Sequence, residues 1–233
     1  MACTPVDPGQ MSADGVFDPH EADNRAVHRF NVGIDRALLR PVGTGYAEVV
    51  PQDVQVIVGN VGGNLSEPSN FVNHTLQGDL RGMGVNLFRF VVNSTLGLAG
   101  IYDAAAEFGV PADASDFGET LHVWGAPEGA YVELPLLGPS TERDATGKVV
   151  DLFTDPLSYV LPKPEKYIGT AARLTDRVGS RGRYAETVDS VLYESADSYA
   201  QSRLLYLQNR RFELGIEAES TYIEPDDIDT EGF

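Results

Sequence analysis

Four histidines, one serine in a polar turn and two glycine clusters are the residues from which this 233-residue chain could build catalysis or ligand binding. His20, His28, His74 and His122 miss the H-x-x-x-H and H-E-x-x-H spacings that aim two imidazoles at one metal from a helix face. They read as surface or packed histidines, and no metal ligands are assigned. A hydrolase nucleophile on a strand-to-helix elbow reads G-x-S-x-G, whereas Ser140 sits in LGPSTERD. Ser140 reads more simply as a helix N-cap, although a triad of Ser140, His122 and Asp144 can still assemble in space. GNVGGN and RGMGVN match neither the dinucleotide nor the Walker spacing, so no nucleotide cofactor is implied. No catalytic residue is assigned.

Cys3 is the only cysteine. It has no partner for an internal disulfide, and a mobile terminal thiol would oxidise and link chains together. Ala2-Cys3 has the form of the junction at which a bacterial lipoprotein loses its signal peptide and its cysteine gains acyl chains. Cys3 is therefore the expected lipidation site.

The elements that must position everything else are mostly helical. Residues 1–17 are rich in Pro, Gly, Asp and Ser and read as a tether. A helix follows from Asp18-Pro19, with Val27, Phe30, Ile34 and Leu38 at helical spacing, and Arg40-Pro41 is expected to end it. A second starts at Pro51 and is expected to break at GNVGGN. A third follows Ser66 and closes at Gly78. A fourth, capped by Asp79, runs from Leu80 to about Leu96. Asp116 and Glu119 stand at capping-box spacing. AYVELPLL is the one convincing extended segment, and its Pro135 makes it an edge strand or hairpin arm. Helices return after Pro164, the last capped by Asp197. The expected organisation is a tether (1–17), a mainly α domain with a small β-hairpin (18–215) and an acidic tail (216–233).

Charge and hydropathy exclude two classes. With 35 Asp and Glu against 17 Lys and Arg, the net charge of −18 repels phosphate backbones, so nucleic acid is not an expected partner. A spanning helix needs roughly 20 apolar residues. The most apolar run, FRFVVNSTLGLAGIYDAAA, is broken by Arg89, Asn93, Ser94 and Asp103.

RPVGTGY (40–46), GNLSEP (63–68), LQGD (76–79), RFVVNSTLGLAGIYD (89–103), DFGETL (116–121), WG (124–125) and LPLLGPSTERD (134–144) follow one another in an order that resembles the MlaA/VacJ lipoproteins. DSYAQSRLLYLQNRR extends the match toward the C-terminus. Asn24, Arg25, Asn60, Asn64, Glu67, Pro68, Gln77, Gly78, Asp116, Phe117, Gly118, Trp124, Gly138, Pro139, Arg143 and Asp144 carry the resemblance. The chain departs from the family pattern at Val61, Ala126 and in HEADNR ahead of the first helix.

The resemblance implies a ring of amphipathic helices lying in the bacterial outer membrane around a central hydrophilic channel. It implies a lipid-anchored protein on the periplasmic side that removes mislocalised phospholipid from the outer leaflet, passes it to the periplasmic carrier MlaC, and works beside a trimeric porin. No enzyme activity follows from it. Two other readings stay open: a periplasmic lipid hydrolase using Ser140, and a structural lipoprotein that braces a porin. A helical ring satisfies its own backbone hydrogen bonds at membrane depth, and helices lying in the plane need only an apolar edge.

Within that picture Gly82, Asn86, Arg89 and Asn93, spaced four, three and four apart, form a narrow polar stripe on an otherwise apolar helix. The stripe is expected to face the lumen, with Arg89 meeting lipid phosphate or pairing with an acid. A hairpin between about Gly109 and Leu137 is expected to control the channel.

Overall fold

The structure, a computed structural model, describes residues 16–216. Cys3, with most of the expected tether and of the acidic tail, lies outside the described residues. The mainly α architecture with one small hairpin holds.

Helix α1 (Glu21–Ile34) runs through a π turn (Asp35–Leu39) directly into α2 (Arg40–Val49). Pro41 therefore does not end the first helix. A proline inside a helix removes one hydrogen bond and strikes the carbonyl four residues back. Here that carbonyl belongs to Ala37, inside the π turn, where Arg40 N–H reaches back five residues to Asp35 O. The widened turn accommodates the ring.

The glycines of GNVGGN do not break α3 (Gln52–Asn64) either. α3 and α2 both pack on α10 (Ile168–Arg183), and their glycines mark the crossings. A Cβ on Gly62 would stand 3.2 Å from Arg173 N, and one on Gly43 would stand 2.6 Å from Val178 O. Glycine in a helix costs about 1 kcal/mol against alanine, and close backbone packing offsets it.

α4 (Glu67–Gln77) closes at Gly78, whose φ of +75° suits a residue without Cβ. α5 (Leu80–Thr95) starts where expected, the Asp79 carboxylate accepting from Arg81 N and Gly82 N at 3.0 Å. Asp79→Ala is expected to destabilise the protein by about 1 kcal/mol, read by thermal unfolding in mild detergent. An unchanged melting temperature would show that the cap contributes nothing.

After the short α6 (Ala104–Glu107), α7 (Phe117–Val123) is capped by Asp116, which accepts from Glu119 N at 2.8 Å. The expected capping box is half made, because the Glu119 carboxylate accepts from Ser115 Oγ instead. β1 (Tyr131–Leu134) and β2 (Gly138–Thr141) form an antiparallel hairpin pairing Tyr131 with Thr141. Ser140 belongs to β2. The cap of α8 (Glu142–Thr154) is its neighbour Thr141, which accepts from Asp144 N. α9 (Leu157–Val160) and a 3₁₀ turn (Glu165–Tyr167) lead into α10. α11 (Ala185–Asp189), a second π turn (Ser190–Glu194) and α12 (Ser198–Glu213), capped by Asp197, complete the described chain.

The polarity is inverted. Among the described residues the buried apolar core is small, centred on Val16, Tyr131, Tyr199 and Leu207, while buried polar and charged side chains are more numerous. Val16 and Phe17 pack inside, so the folded domain begins before the tether boundary at 17. Large apolar side chains point outward, Val49, Leu80, Leu152 and Val160 each at least 75% exposed. A water-soluble monomer rarely shows this much exposed apolar surface. No helix among the described residues is long and apolar enough to cross a membrane.

Candidate functional site

A cavity of about 600 Å³ opens between α3, α4, α5, the 110–116 loop, α8 and α10. Its wall carries many polar and charged side chains among apolar surface. α4 contributes Glu67, Asn70 and Asn73, α5 contributes Arg89, and Asp151 and Asp155 come from the end of α8 and the turn after it. Lys166 and Arg173 add positive charge to the lining from the 3₁₀ turn and α10.

Arg89 is fully engaged. Its Nε donates to Glu67 Oε1 at 2.7 Å, Nη1 to Val110 O at 2.7 Å and Nη2 to Asp103 Oδ2 at 3.0 Å. Of the two expectations for this residue, pairing with an acid is the one the geometry displays. Burial pushes the Glu67 carboxyl above its usual pKa despite Arg89. Asp103 is held below the usual range, because hydrogen bonds from Arg89 and Asn93 outweigh its partial burial. Burial also raises Asp151, whose oxygens accept from Phe117 N and Asn73 Nδ2.

The four residues of the polar stripe do share one face of α5, and all are buried. Only Arg89 among them reaches the cavity wall. Asn86 Nδ2 donates to Gly82 O and Asp113 O. Asn93 donates to Asp103 Oδ1 and accepts from Ala105 N at 2.8 Å. Gly82 lies under His74, where a Cβ would meet Nδ1 at 2.2 Å. Three of the four residues therefore form a seam, and Arg89 alone also borders the cavity. The amides of the stripe satisfy backbone groups of a segment (103–113) that is mostly not in regular structure, as buried backbone requires.

Most residues that carry the family resemblance are also joints. Asn24 bonds Asp18, Tyr131 O and Glu133 N, fixing α1 to β1. Arg25 pairs with Glu21 and Asp197 and lies over Tyr199. Asn60 donates to Ile101 O, and Asn64 donates to Ser94 Oγ. Pro68 occupies the first turn of α4, and Gln77 bridges Ser115 and Thr120. Trp124 donates to Leu76 O and meets Phe117 edge-on. Asp116 and Asp144 both hold Arg210. Gly118 packs against Gly147, where a Cβ on the latter would stand 2.3 Å from Gly118 N. Gly138 turns at φ +77°, Pro139 O accepts from Lys148, and Arg143 is buried beside Asp144 and His122.

The hairpin lies slightly later than the expected 109–137 segment, and its first strand is pinned. Glu133 is buried and accepts from Asn31 and Tyr131 beside His28. A moving gate would have to break this network.

Ser140 is wholly buried, and its Oγ lies 3.1 Å from Lys148 Nζ, whose pKa burial lowers. The hydroxyl donates to Thr141 O, while His122 Nδ1 meets Arg143 and Asp144 meets Arg210 and Tyr206. The three residues are not assembled as a triad. Among the described residues one trio could hold a cation: His74, Asp79 and Asp113, with ligand atoms within 4.8 Å of one another. Asp79 there already caps α5.

Sequence reading missed Asn70, Asn73, Asp151, Asp155, Lys166 and Arg173 on the cavity wall. They come from segments far apart in the chain, Arg173 reaching Ser66 Oγ across 107 residues, and no local spacing announces them.

The model of the MlaA lipoprotein family matches residues 16–213. The intermembrane phospholipid transport system lipoprotein MlaA of Escherichia coli (strain K12) is 34% identical over 203 residues, covering 85% of this chain and 78% of that protein. The protein of the same name from Haemophilus influenzae is 32% identical over 218 residues, 91% of this chain and 85% of that one. A solved structure described as the structural basis for maintenance of bacterial outer membrane lipid asymmetry superposes with a TM-score of 0.71 at 31% identity, covering 84% of this chain and 98% of its own. With its mainly helical architecture, the small hairpin and these matches over nearly the whole described chain, the protein belongs to the MlaA lipoprotein family.

Proposed function

We propose that the protein is an outer-membrane lipoprotein that carries phospholipid from the outer leaflet through the polar cavity toward the periplasm, maintaining lipid asymmetry. The observation that carries this reading is the polarity inversion. A cavity of about 600 Å³ lined by charged side chains sits among helices whose outer surface carries many large exposed apolar side chains. A headgroup needs a polar path, and the shell needs a hydrocarbon surround. The names of the Escherichia coli and Haemophilus influenzae relatives support intermembrane phospholipid transport, and the solved structure supports the link to outer-membrane asymmetry.

The finer parts rest on the same reading. Acylation of Cys3 anchors the chain, a trimeric porin holds it, and a periplasmic carrier of the MlaC type accepts the lipid. No covalent chemistry is required, because moving a lipid breaks no bond. Ser140, the residue a hydrolase would use, has no exposed surface from which to attack an ester.

The test is reconstitution of the full chain in vesicles carrying fluorescent phospholipid, with transfer to an external acceptor followed over time. Ala112→Trp places an indole on the cavity wall from a loop and is expected to reduce transfer to the protein-free rate while leaving the helical circular dichroism unchanged. Undiminished transfer through the filled cavity would overturn the assigned path. Lipid cleavage products in the same assay would restore the hydrolase reading.

A further inference from the structure

We propose that the cavity selects a zwitterionic headgroup, a phosphate bearing a primary ammonium, over a purely anionic one; this rests on the cavity being the lipid path. Lys166 and Arg173 line the cavity, and neither has a carboxylate partner among the described residues. Arg173 donates to Ser66 Oγ and Thr170 Oγ1, and Lys166 lies over the Tyr167 ring. Many other guanidinium groups of this protein are ion-paired, as at Arg25, Arg40, Arg89, Arg181, Arg183, Arg210 and Arg211.

Two acids complete the wall without a cation of their own. Asp155 Oδ1 accepts from Leu157 N, and Asp151 accepts only from neutral groups, Phe117 N and Asn73 Nδ2. Burial disfavours the charge on Asp151, and a cation arriving in the cavity would restore it. Glu67 adds a third acidic edge, because its Oε2 is buried without a well-formed hydrogen bond, with Asn70 beside it.

The cavity thus offers two cations without a carboxylate partner and two acids without an ion pair. A phosphate satisfies Lys166 and Arg173, Arg doing so with a planar fork suited to phosphate oxygens. That leaves Asp151 and Asp155 facing whatever the phosphate carries. An ammonium satisfies them by charge-assisted hydrogen bonds, and a glycerol leaves them with neutral hydroxyls. An anionic headgroup therefore engages half of the wall, and a zwitterionic one engages all of it.

The test uses the full chain in mild detergent, titrated calorimetrically with a short-chain phosphoethanolamine lipid, a phosphoglycerol lipid of the same chains, and inorganic phosphate. The zwitterionic lipid is expected to bind at least about fivefold more tightly than the anionic one. Asp155→Asn, which retains an acceptor for Leu157 N, is expected to bring that ratio toward one. Arg173→Gln is expected to weaken both lipids. Equal binding of the two lipids by the wild type overturns the headgroup selection and leaves the lipid path standing, whereas binding of neither lipid overturns the path itself. Inorganic phosphate competing as well as the zwitterionic lipid marks an anion site only and overturns the selection. A ratio unmoved by both Asp155→Asn and Asp151→Asn overturns the assignment of the acids.

Discussion

Arg89→Gln is expected to destabilise the protein by about 3–5 kcal/mol, the range for removing one partner of a buried ion pair. Arg89 is 6% exposed and Glu67 4%, so glutamine leaves a carboxylate in the interior with little water to solvate it. The Val110 carbonyl and Asn93-bound Asp103 lose a donor as well. Glu67 already has a raised pKa from burial. A carboxyl whose folded pKa lies above its unfolded value favours folding at low pH and loses that contribution as pH rises through the folded value. Relative to the wild type, the variant should therefore be less destabilised at about pH 5 than at about pH 7. Adding Glu67→Gln should return part of the lost stability by removing the orphaned charge. Thermal unfolding in detergent at both pH values checks all three statements. A single variant that melts like the wild type would mean that Arg89 is not holding α5 to α4.

Gly182→Val is the second large expected effect. The backbones of α2 and α10 touch at this point, where a Cβ on Gly182 would lie 2.0 Å from Gly43 O and one on Gly43 2.6 Å from Val178 O. Neither obstacle is the end of a flexible side chain, so the helices must separate. Overpacking commonly costs about 1–3 kcal/mol, and a backbone clash of this depth belongs at or beyond the upper end. The separation would also strain the bidentate Arg181–Asp35 pair and its Tyr193 and Asp189 partners, which tie α10 to the π turn ahead of α2, to α11 and to the second π turn. Gly33→Ala is the control, because nothing stands within 4 Å of its Cβ direction and α1 is helical there. That change should be neutral or raise stability by about 0.5 kcal/mol. If Gly182→Val and Gly33→Ala unfold at the same temperature, the close crossing does not limit the fold.

Helix starts were legible because their signals are local. Asp79, Asp116 and Asp197 each cap the helix that their position promised, since a carboxylate can satisfy exposed N–H groups two or three residues ahead without help from elsewhere. Family membership was legible for a related reason: its motifs are runs of neighbouring residues in a fixed order. The stripe on α5 was also readable as one face, because helical periodicity alone places Gly82, Asn86, Arg89 and Asn93 together.

What that face meets was decided by tertiary structure. Amphipathic pattern says that a polar side wants something polar, and water, lipid headgroup and unpaired backbone all qualify. The irregular 103–113 segment brought its carbonyls and carboxylates to the stripe and made it a seam. The same dependence explains Pro41 and the glycines of GNVGGN. Each looks like a helix breaker by intrinsic preference, and each is overruled, one by a π turn and the other by close contact with α10. The cavity wall is the furthest from sequence. Asp151, Asp155, Lys166 and Arg173 follow no common period, and their charges acquire meaning only where folding brings them round one cavity without neutralising them. Sequence determined which helices form and to which family they belong; three-dimensional packing decided which polar groups are consumed in holding the ring and which remain to meet a ligand.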